Sequence, residues 1–484
     1  MSNKPRHHWL ILVILALAQF MVVLDVSIVN VALPAIEKAF HMTETSLQWI
    51  VTAYTLAFGG FLLLGGRAAD LYGRKKLFMI GVTMFGIASL IDGMAQSGTM
   101  LIGLRAVQGL SAALMSPAAL SIVLVTYREG HERNAALSVW GAVASGGAAA
   151  GVLFGGIITE YLGWRWNFLI NVPVAISVLI AASRMVPAHE SEETHNDLDL
   201  PGAVSVTGAL MLLVYALVEA PTHGWTSHST LLYFAGVVVL FAFFVWNELR
   251  SKHPLVPFKI FRIRNVTAAN LTQMPIVAGM VSTFFFTSLY AQTVLGFSPV
   301  KTGFSFLAVP ISIALSATNV PRLVKKIGFK PILMVAPLIT ASALYWLAHV
   351  RVDGTYWHDL LPGFILMGLG MGATFVAITI AATSGVEGHE SGLASGLLNT
   401  SQQIGGAIGL AILTGVASSA AAHYLKTLHG ATSQLTPLAA QVHGFQAAFY
   451  VATGFMVAAA LIASLLLKNQ KPAARELSPT AHVG

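Results

Sequence analysis

The sequence predicts an all-α integral membrane protein. Of its 484 residues, 56% are hydrophobic and only 10% are charged, whereas a soluble domain carries about 25% charged residues. The apolar runs are about 20 residues long, the length of a helix that crosses a bilayer, whereas the strands of a membrane barrel are runs of about 10 residues with alternation. The mean hydropathy of +0.73 agrees. These observations exclude a soluble protein.

Fourteen apolar runs are long enough to cross a membrane, and they are arranged as six, two and six. The first run follows the basic segment MSNKPRHH and is too long for the core of a signal peptide. No small-residue cleavage site follows it, so we interpret it as a retained first span. The predicted spans are Trp9–Leu33, Leu47–Leu64, Leu77–Ala95, Met100–Val125, Ala135–Ile158, Trp166–Val186, Gly202–Ala220, Leu231–Trp246, Val266–Val294, Phe304–Val320, Ile332–Val350, Leu360–Ala382, Gly396–Ser419 and Phe445–Leu467.

Two polar segments divide the chain into domains. The stretch PAHESEETHNDLDL follows the sixth span, and the basic stretch RSKHPLVPFKIFRIR follows the eighth. Between them, the sequence DLPG predicts a helix start with Asp199 as the cap. The predicted divisions are an N-terminal six-helix bundle (1–186), a cytoplasmic linker (187–200), two additional helices (201–250), a cytoplasmic loop (251–265), a C-terminal six-helix bundle (266–467) and a cytoplasmic tail (468–484).

The distribution of lysine and arginine predicts the orientation. With the N-terminus inside, 21 of the 27 cations fall in the inner segments, five fall in the outer loops, and Arg105 lies within a span. Because inner loops carry the excess of cations, both termini are predicted to be cytoplasmic. The net charge of +7 therefore reflects topology, and nucleic acid is excluded as a partner.

The inner loop GGRAADLYGRKK, residues 65–76, combines four cations with one acid. Topology alone explains the cations, and Gly66 and Gly73 allow a tight reversal of the chain. Topology does not explain Asp70, which can pair with a nearby arginine such as Arg74 or with the N-terminus of a helix in the other half. Such a contact forms in one conformation and breaks in another, so we interpret this loop as a latch.

The second half carries a degenerate copy of this loop, PRLVKKIGFKP. Aligning Gly73 with Gly328 places Asp70 opposite Lys325, so the cations persist and the acid is lost. Two related six-span halves indicate an internal repeat.

Several motifs together resemble the major facilitator superfamily and its fourteen-span drug:proton antiporter branch. The latch loop resembles the family's signature G-x-x-x-D-x-x-G-R-K-K, with Leu71 where many members have arginine. Further matching stretches are LDVSIVNVALPAI, WIVTAYTLAFGG, LRAVQGLSAALMSPA, GWRWNFLINVP, LYAQTVLGFSPVKTG and GLASGLLNTSQQIGGAIGLAIL. The resemblance implies the major facilitator fold, with two six-helix bundles plus two extra central helices, and multidrug efflux by alternating access.

The fifth span departs from the antiporter motif of that family. The family usually has Gly-Pro there, whereas GGAAAGVLFGG places Val152 after Gly151. Small residues spaced in this way form a face for close helix packing. Packing alone and a role in preventing proton leak both remain open for these glycines, which are Gly147, Gly151, Gly155 and Gly156.

Charged residues inside the spans are the candidates for proton coupling, because membrane acids need a partner or a function. Asp25 lies roughly 24 Å along the first span from Trp9, and Arg105 lies about 8 Å below the outer end of the fourth span. Since the depths match, we expect the two side chains to communicate directly or through Gln108 and water. A static pair that only fixes helix packing is the alternative.

Two other acids, Asp92 and Glu219, are further candidates for the proton site. Asp92 lies near the outer end of the third span and is able to reach the interface instead. Glu219 lies close to the outer interface in the seventh span, within the central pair.

The resemblance also indicates residues that line a substrate cavity. Polar, aromatic and methionine side chains next to one acid suit lipophilic cations, through apolar area, cation–π contact and charge. Taken singly, most aromatics of such a chain face lipid or pack in the core. The predicted substrate-binding residues are Asn30, Tyr54, Gln108, Met115, Tyr290, Gln292 and Asn399.

The sequence contains no Gly-Lys pair, no HExxH and no cysteine. It therefore predicts no P-loop, no metal cluster and no enzymatic activity. We expect no cofactor, with transport driven by the proton gradient. The predicted partners are the lipid bilayer, protons and lipophilic small molecules, with a monomeric protein and accessory envelope proteins left open.

The sequence thus predicts a cell-membrane transporter that exports hydrophobic, cationic or neutral compounds in exchange for protons. A proton-coupled symporter or facilitator for a small metabolite is the alternative on the same fold. A membrane sensor or scaffold needs a larger soluble segment than the short ones present.

Overall fold

The computed structural model describes residues 4–127, 131–187, 198–252, 254–386, 391–427 and 436–469. Helices form the regular structure of this described part. They are α1 (Lys4–Phe40), α2 (Glu44–Tyr72), α3 (Arg74–Gly93), α4 (Gly98–Thr126), α5 (His131–Tyr161), α6 (Trp166–Leu169), α7 (Asn171–Met185), α8 (Leu200–His223), α9 (His228–Arg250), α10 (Arg264–Leu289), α11 (Pro299–Phe306), α12 (Ala308–Ala317), α13 (Val320–Ile327), α14 (Phe329–Leu347), α15 (Leu361–Thr383), α16 (Ser391–Thr427) and α17 (Thr436–Leu466).

The six, two and six arrangement is present. Within the described residues, thirteen helical segments are long and apolar enough to cross a membrane. The 31-residue helix α5 takes the place of the remaining predicted span. The sixth span is α6 and α7 together, the tenth is α11 and α12, and π-helical turns extend the ninth at Tyr290–Val294 and begin the twelfth at Tyr356–Leu360.

Several predicted span ends are wrong, and α2 ends at Tyr72 rather than Leu64 while α16 ends at Thr427 rather than Ser419. The first helix continues past Leu33 to Phe40, with Pro34 inside it, because a proline removes only one backbone donor and Leu33 and Ile36 are fully buried around it. The tenth span ends at Ala317, and the predicted end at Val320 begins a separate helix, α13. This short amphipathic helix carries the basic residues of the second-half loop.

Side-chain caps fix several helix starts. Asp199 accepts a hydrogen bond from the backbone N–H of Gly202 at 2.8 Å, so the predicted cap of α8 is confirmed. Gly73 and Gly328, the two positions aligned in the repeat, both end a helix with positive φ, at 95° and 83°. This shared geometry supports the internal repeat. The predicted linker and tail fall largely outside the described residues.

The helices form two bundles that meet along two seams. In the first bundle α1 packs against α5, and α4 packs against α2 and α3; in the second, α10 packs against α16 and α17, and α14 against α15 and α17. The bundles meet where α2 contacts α16 and where α5 contacts α11. The extra helix α8 lies against both α2 and α16, and α9 packs on α8.

Hydrogen bonds join the bundles at their outer ends. The Asn30 carbonyl accepts from the Ser288 hydroxyl at 2.7 Å, and the backbone N–H of Val300 donates to the Glu160 carboxylate at 2.9 Å. On the α17 side, Gln441 donates to the Glu44 carboxylate at 2.8 Å. The two bundles are therefore joined at the end of the molecule that the sequence assigns to the outside.

Candidate functional site

A buried ion pair occupies the first bundle. Arg105 on α4 donates through a terminal nitrogen to Asp25 Oδ2 on α1 at 2.5 Å, and the two residues are 1% and 0% exposed. The same nitrogen donates to Gln108 Oε1 at 2.6 Å, and Nε donates to the Ile50 carbonyl at 3.0 Å. The guanidinium also lies 4.4 Å from the ring centre of Tyr54. The predicted contact between Asp25 and Arg105 is confirmed in its direct form.

Neutral side chains from two further helices complete the site. Asn171, at the start of α7, donates to Asp25 Oδ1 at 2.9 Å. Gln108 Nε2 donates to Ser89 Oγ at 2.7 Å and approaches Asp25 Oδ1 at 3.4 Å. The sequence analysis missed Asn171 and Ser89, although Asn171 lies within GWRWNFLINVP and a buried amide in an apolar run needs a partner.

The position of Asn171 follows from local structure. The sixth span is interrupted at Ile170, between α6 and α7, and Asn171 opens the second segment. The nearby Asn167 Nδ2 donates to the Thr159 hydroxyl at 2.6 Å, which ties α6 to α5. The break therefore directs one asparagine towards α5 and the other towards Asp25.

The arrangement is electrically neutral and allows Arg105 to change partners. Burying two charges is compensated only when their hydrogen-bonding capacity is satisfied. A proton on Asp25 would remove the anion that Arg105 faces. The guanidinium would then retain the Ile50 carbonyl, the Gln108 amide oxygen and the face of Tyr54. A proton on Asp25 would therefore not leave Arg105 as an unsolvated cation.

The other two predicted acids lie in different surroundings. Asp92 on α3 is fully buried, and neither of its carboxylate oxygens has a hydrogen-bond partner in the described part of the chain. Glu219 on α8 accepts from His223 Nδ1 at 2.9 Å and is partly exposed. The structure places Asp92 near the Asp25 pair and Glu219 apart from it, and the proton role of each stays a prediction.

The predicted substrate residues do not form one cluster. Tyr54 and Gln108 belong to the Asp25 site, and Met115 is buried in the apolar core of the first bundle. Asn30 and Gln292 lie where α1 meets the end of the ninth span, and Gln292 donates to the Val31 carbonyl at 2.9 Å. Their roles as substrate contacts stay predictions.

The remaining two substrate candidates lie in the second bundle. The Tyr290 hydroxyl donates to the Arg351 carbonyl at 2.6 Å, so this buried tyrosine is held within its own bundle at the outer end. Asn399 lies on α16 and is exposed. The structure therefore separates these two residues from the Asp25 site.

The latch residues lie at the inner end of α2. Arg74 donates to Asp70 Oδ1 at 3.2 Å, which is one of the two pairings expected from the sequence, and both side chains are partly exposed. Gly73 makes the reversal between α2 and α3 with positive φ, as predicted. The predicted part of Gly66 in the reversal is wrong, because residues 65–72 continue α2 and Gly66 lies inside that helix, where a Cβ on it would lie 3.7 Å from Pro117. In this conformation Asp70 therefore pairs within its own half.

The glycines of α5 face α1 close to Asp25. A Cβ at Gly151 would lie 2.8 Å from the Leu24 carbonyl, and one at Gly155 would lie 2.9 Å from the Ile28 carbonyl. Gly147 contacts Val23 in the same way, whereas Gly156 faces Pro299 of α11 in the other bundle. These contacts support the packing interpretation and show that α5 sets the position of the helix that carries Asp25.

Comparison with known proteins gives a consistent result. The family model described as Major Facilitator Superfamily matches residues 15–410. The puromycin resistance protein pur8 of Streptomyces alboniger is 40% identical over 480 residues, covering 98% of this chain and 93% of that protein. The cephamycin export protein CmcT of Amycolatopsis lactamdurans is 36% identical, covering 84% of this chain and 85% of that protein.

Solved structures share the fold at low sequence identity. A bacterial homolog of the human lysosomal transporter Spinster, in an inward-facing and unoccupied conformation, has a TM-score of 0.67 at 16% identity and covers 96% of this chain and 98% of its own. The nucleoside transporter NupG has a TM-score of 0.64 at 11% identity, covering 95% of this chain and 100% of its own.

Proposed function

The chain belongs to the Major Facilitator Superfamily, and from this membership we propose that it exports hydrophobic, cationic or neutral, drug-like compounds in exchange for protons by alternating access. Relatives that match over most of their length are described as resistance or export proteins. With its many membrane spans, the chain is a multi-pass membrane transporter rather than an enzyme.

The buried pair of Asp25 and Arg105 is the observation that carries the proton-coupling part of the proposal. An acid in the middle of a membrane protein is costly unless it serves a function. Asp25 is bound by donors from two helices, α4 and α7, and its main partner Arg105 has three other acceptors. A residue held in this way is able to alternate between a charged and a neutral form.

The coupling step follows from competition for Asp25. With Asp25 ionised, a lipophilic cation is attracted to the same carboxylate that Arg105 contacts. When Asp25 is protonated, its carboxyl group is neutral and no longer attracts the cationic substrate. The cation is then released. Tyr54 contributes an aromatic face to whichever cation is present.

Alternating access requires the two bundles to separate at the outer end. The bonds from Ser288 to Asn30 and from Gln441 to Glu44 must break when the outer side opens. We propose that Asp70 then leaves Arg74 for the N-terminus of a helix in the second bundle, which closes the inner side. The partial exposure of the Asp70 pair keeps the cost of this exchange small.

We place the protein in the plasma membrane with both termini in the cytoplasm, acting as a monomer without a cofactor. The support is the concentration of 21 of 27 cations in the segments assigned to the inside. A single chain also supplies both bundles.

Inverted membrane vesicles that are energised to be acid inside test this function. A fluorescent probe reports the pH gradient while puromycin, ethidium and neutral dyes are added to wild type and to Asp25→Asn. Substrate-dependent collapse of the gradient in wild type alone supports antiport with Asp25 as the proton site. The matched control is Asp353→Asn, the same change at an exposed acid of an outer loop, and it should behave like wild type.

The other outcomes discriminate between the alternatives. Collapse in both wild type and Asp25→Asn keeps antiport and assigns the proton to Asp92 or Glu219. No response to any compound contradicts drug:proton antiport and favours the symporter or facilitator, for which Val152 in place of the usual proline is the motivating departure.

A further inference from the structure

The first bundle contains a second buried acid that the Asp25 site does not explain. Asp92 is fully buried, and neither carboxylate oxygen has a hydrogen-bond partner among the described residues. An ionised carboxylate without donors costs several kcal/mol when it is buried. Asp92 must therefore carry a proton or bind internal water.

The position of Asp92 connects it to the site. It precedes the last residue of α3, at the outer end of that helix, and Ser89 lies one helical turn deeper on the same face. Ser89 Oγ accepts from Gln108 at 2.7 Å and from Asn171 at 3.5 Å, and both amides also reach Asp25 Oδ1. Ser89, Gln108 and Asn171 therefore connect the helical turn below Asp92 to Asp25, and the step between Asp92 and Ser89 has no direct hydrogen bond in the described chain.

The charged groups that act on Asp92 belong to the same site. They are Arg105 on α4 and Asp25 on α1. From α7, the polar neighbour is the neutral Asn171, and the Arg165 guanidinium beside α6 is directed to the Ala95 carbonyl at 3.1 Å. Asp92 is therefore electrostatically coupled to the ion pair rather than neutralised by a partner of its own.

Other buried polar groups at this depth also lack partners. On α2, one and two turns from its outer end, neither amide atom of Gln48 nor the Thr52 hydroxyl has a hydrogen-bond partner in the described part of the chain. Buried groups of this kind usually bind internal water. The outer half of the first bundle thus contains several buried polar groups that are able to bind a chain of internal water molecules.

We propose that Asp92 is a second proton-binding residue, in series with Asp25, and that Ser89 and Asn171 position the water and the carboxylate between them. In the transfer, the Asp92 acid releases its proton to a water bound at Ser89, and that water passes a proton to the Asp25 carboxylate. Asp92 becomes the carboxylate and Asp25 the acid, with no change in electron count. The proposal rests on the proposed proton exchange and adds the route from the outer surface.

The direction of the path fits export. Protons that drive export enter from the outside, and Asp92 lies at the outer end of its helix while the pair lies deeper. Asn171 donates to Asp25 Oδ1, so it stabilises the ionised form that accepts the proton. Asn171 and Ser89 act as positioning residues in this scheme.

Infrared spectroscopy of the full-length protein in lipid nanodiscs tests proton binding directly. The band of protonated carboxylic acids is followed against pH in wild type, Asp92→Asn, Asp25→Asn and Ser89→Ala. We expect Asp92→Asn to remove one such band and Asp25→Asn to shift the remaining Asp92 band. In Ser89→Ala the Asp92 band should stay, and its response to Asp25→Asn should weaken. Identical carboxyl bands in wild type and Asp92→Asn would overturn the proposal.

Proteoliposomes then test the relay. We expect puromycin-driven proton flux to fall about tenfold in Asp92→Gly and to recover when formate, a small acid, is added. Ser111→Ala is the matched control for Ser89→Ala, because the hydroxyl of this buried serine donates to the Val107 carbonyl of its own helix at 2.6 Å. Unchanged flux in Asp92→Gly would contradict the relay.

The two experiments separate this proposal from the proposed function. If wild type moves no protons with any compound, antiport fails, while the infrared titration still shows whether Asp92 and Asp25 share protons. If wild type is an antiporter and Asp92→Asn neither loses a band nor slows proton flux, only the relay fails. Size-exclusion chromatography and thermal unfolding of each variant confirm that the fold is retained.

Discussion

The two bundles share one repeated plan, yet among the described residues the fully buried ion pair and its neighbouring acid lie in the first. Asp25, Asp92 and Arg105 are all at most 1% exposed within the first bundle. In the described part of the second bundle, acidic and basic side chains other than histidine occur at helix ends or in loops, as Lys301 and Lys426 do, and the buried Asp359 accepts from the exposed Arg351. The buried interior of that bundle is instead rich in aromatic rings, including Phe285 and Phe286.

This difference indicates a division of labour between the bundles. The first bundle holds the groups that we propose bind protons, and the second supplies apolar and neutral polar surface. The latch loop follows the same asymmetry, since Asp70 has Lys325 as its counterpart while both loops keep a glycine with positive φ. The two copies of the repeat therefore share the glycine turn, and the second copy has a lysine where the first has an aspartate.

Among the changes that test this difference between the bundles, removing the buried cation should cause the largest loss of stability and of coupled transport. Arg105→Ala leaves Asp25 buried without its main partner, which typically costs about 3–5 kcal/mol, and it should abolish coupled transport. Thermal unfolding and proton flux measure the two effects. Arg351→Ala, at the exposed arginine that donates to Asp359 in the second bundle, is the control. An equal loss from both changes would contradict the division of labour.

Adding bulk to a close helix contact should separate packing from coupling. Gly151→Val in the first bundle and Gly409→Val in the second both force a Cβ into a neighbouring helix, against Leu24 and Ala278 respectively. Each should cost about 1–3 kcal/mol of stability. Only Gly151→Val should change the pH dependence of transport, because α1 carries Asp25. A changed pH profile in Gly409→Val would place coupling groups in the second bundle as well.

Two buried tyrosines provide a smaller test. The Tyr290 hydroxyl donates to the Arg351 carbonyl, whereas the Tyr54 hydroxyl has no hydrogen-bond partner in the described chain. Tyr290→Phe should therefore cost about 1 kcal/mol, and Tyr54→Phe should leave stability unchanged. Tyr54→Leu, which removes the ring facing Arg105, should reduce transport of cations more than of neutral dyes. Substrate competition assays measure this selectivity.

The latch should show the smallest change in stability. Asp70→Asn removes an exposed pair one turn apart on the chain, which is typically worth about 0.3–0.5 kcal/mol. Transport rate should nevertheless fall, because the proposed contact with the second bundle is lost. Lys75→Gln serves as a control, since it removes a cation of the same loop that bonds the Ser183 carbonyl. Equal rates for Asp70→Asn and wild type would contradict the latch.

The sequence predicted most of the fold because membrane physics constrains it strongly. Each span requires a long apolar run, so the arrangement of six, two and six spans could be predicted from the sequence. The orientation that the charge asymmetry indicates stays a prediction. The contact between Asp25 and Arg105 was accessible for the same reason, since an isolated charge in a span is costly and the depths of the two residues agreed.

The rest of the site depends on geometry that spacing does not specify. Ser89 and Asn171 are neutral, and a single polar residue in an apolar helix does not indicate which neighbour it faces. The break between α6 and α7, which directs Asn171, is a tertiary effect within a continuous apolar run. Tyr290 resembled a cavity residue, but its hydroxyl direction was set by the carbonyl of an outer loop.

The glycine pair Gly59 and Gly60 on α2 lies where three helices meet. A Cβ on Gly59 would lie 2.5 Å from Gln403 of α16, and one on Gly60 would lie 2.3 Å from Thr207 of α8. Because neither glycine carries a side chain, the side chains of Gln403 and Thr207 rest directly on the α2 backbone. Larger residues at these two positions would push α16 and α8 away from α2, so the spacing between the bundles and the extra helix depends on two missing side chains.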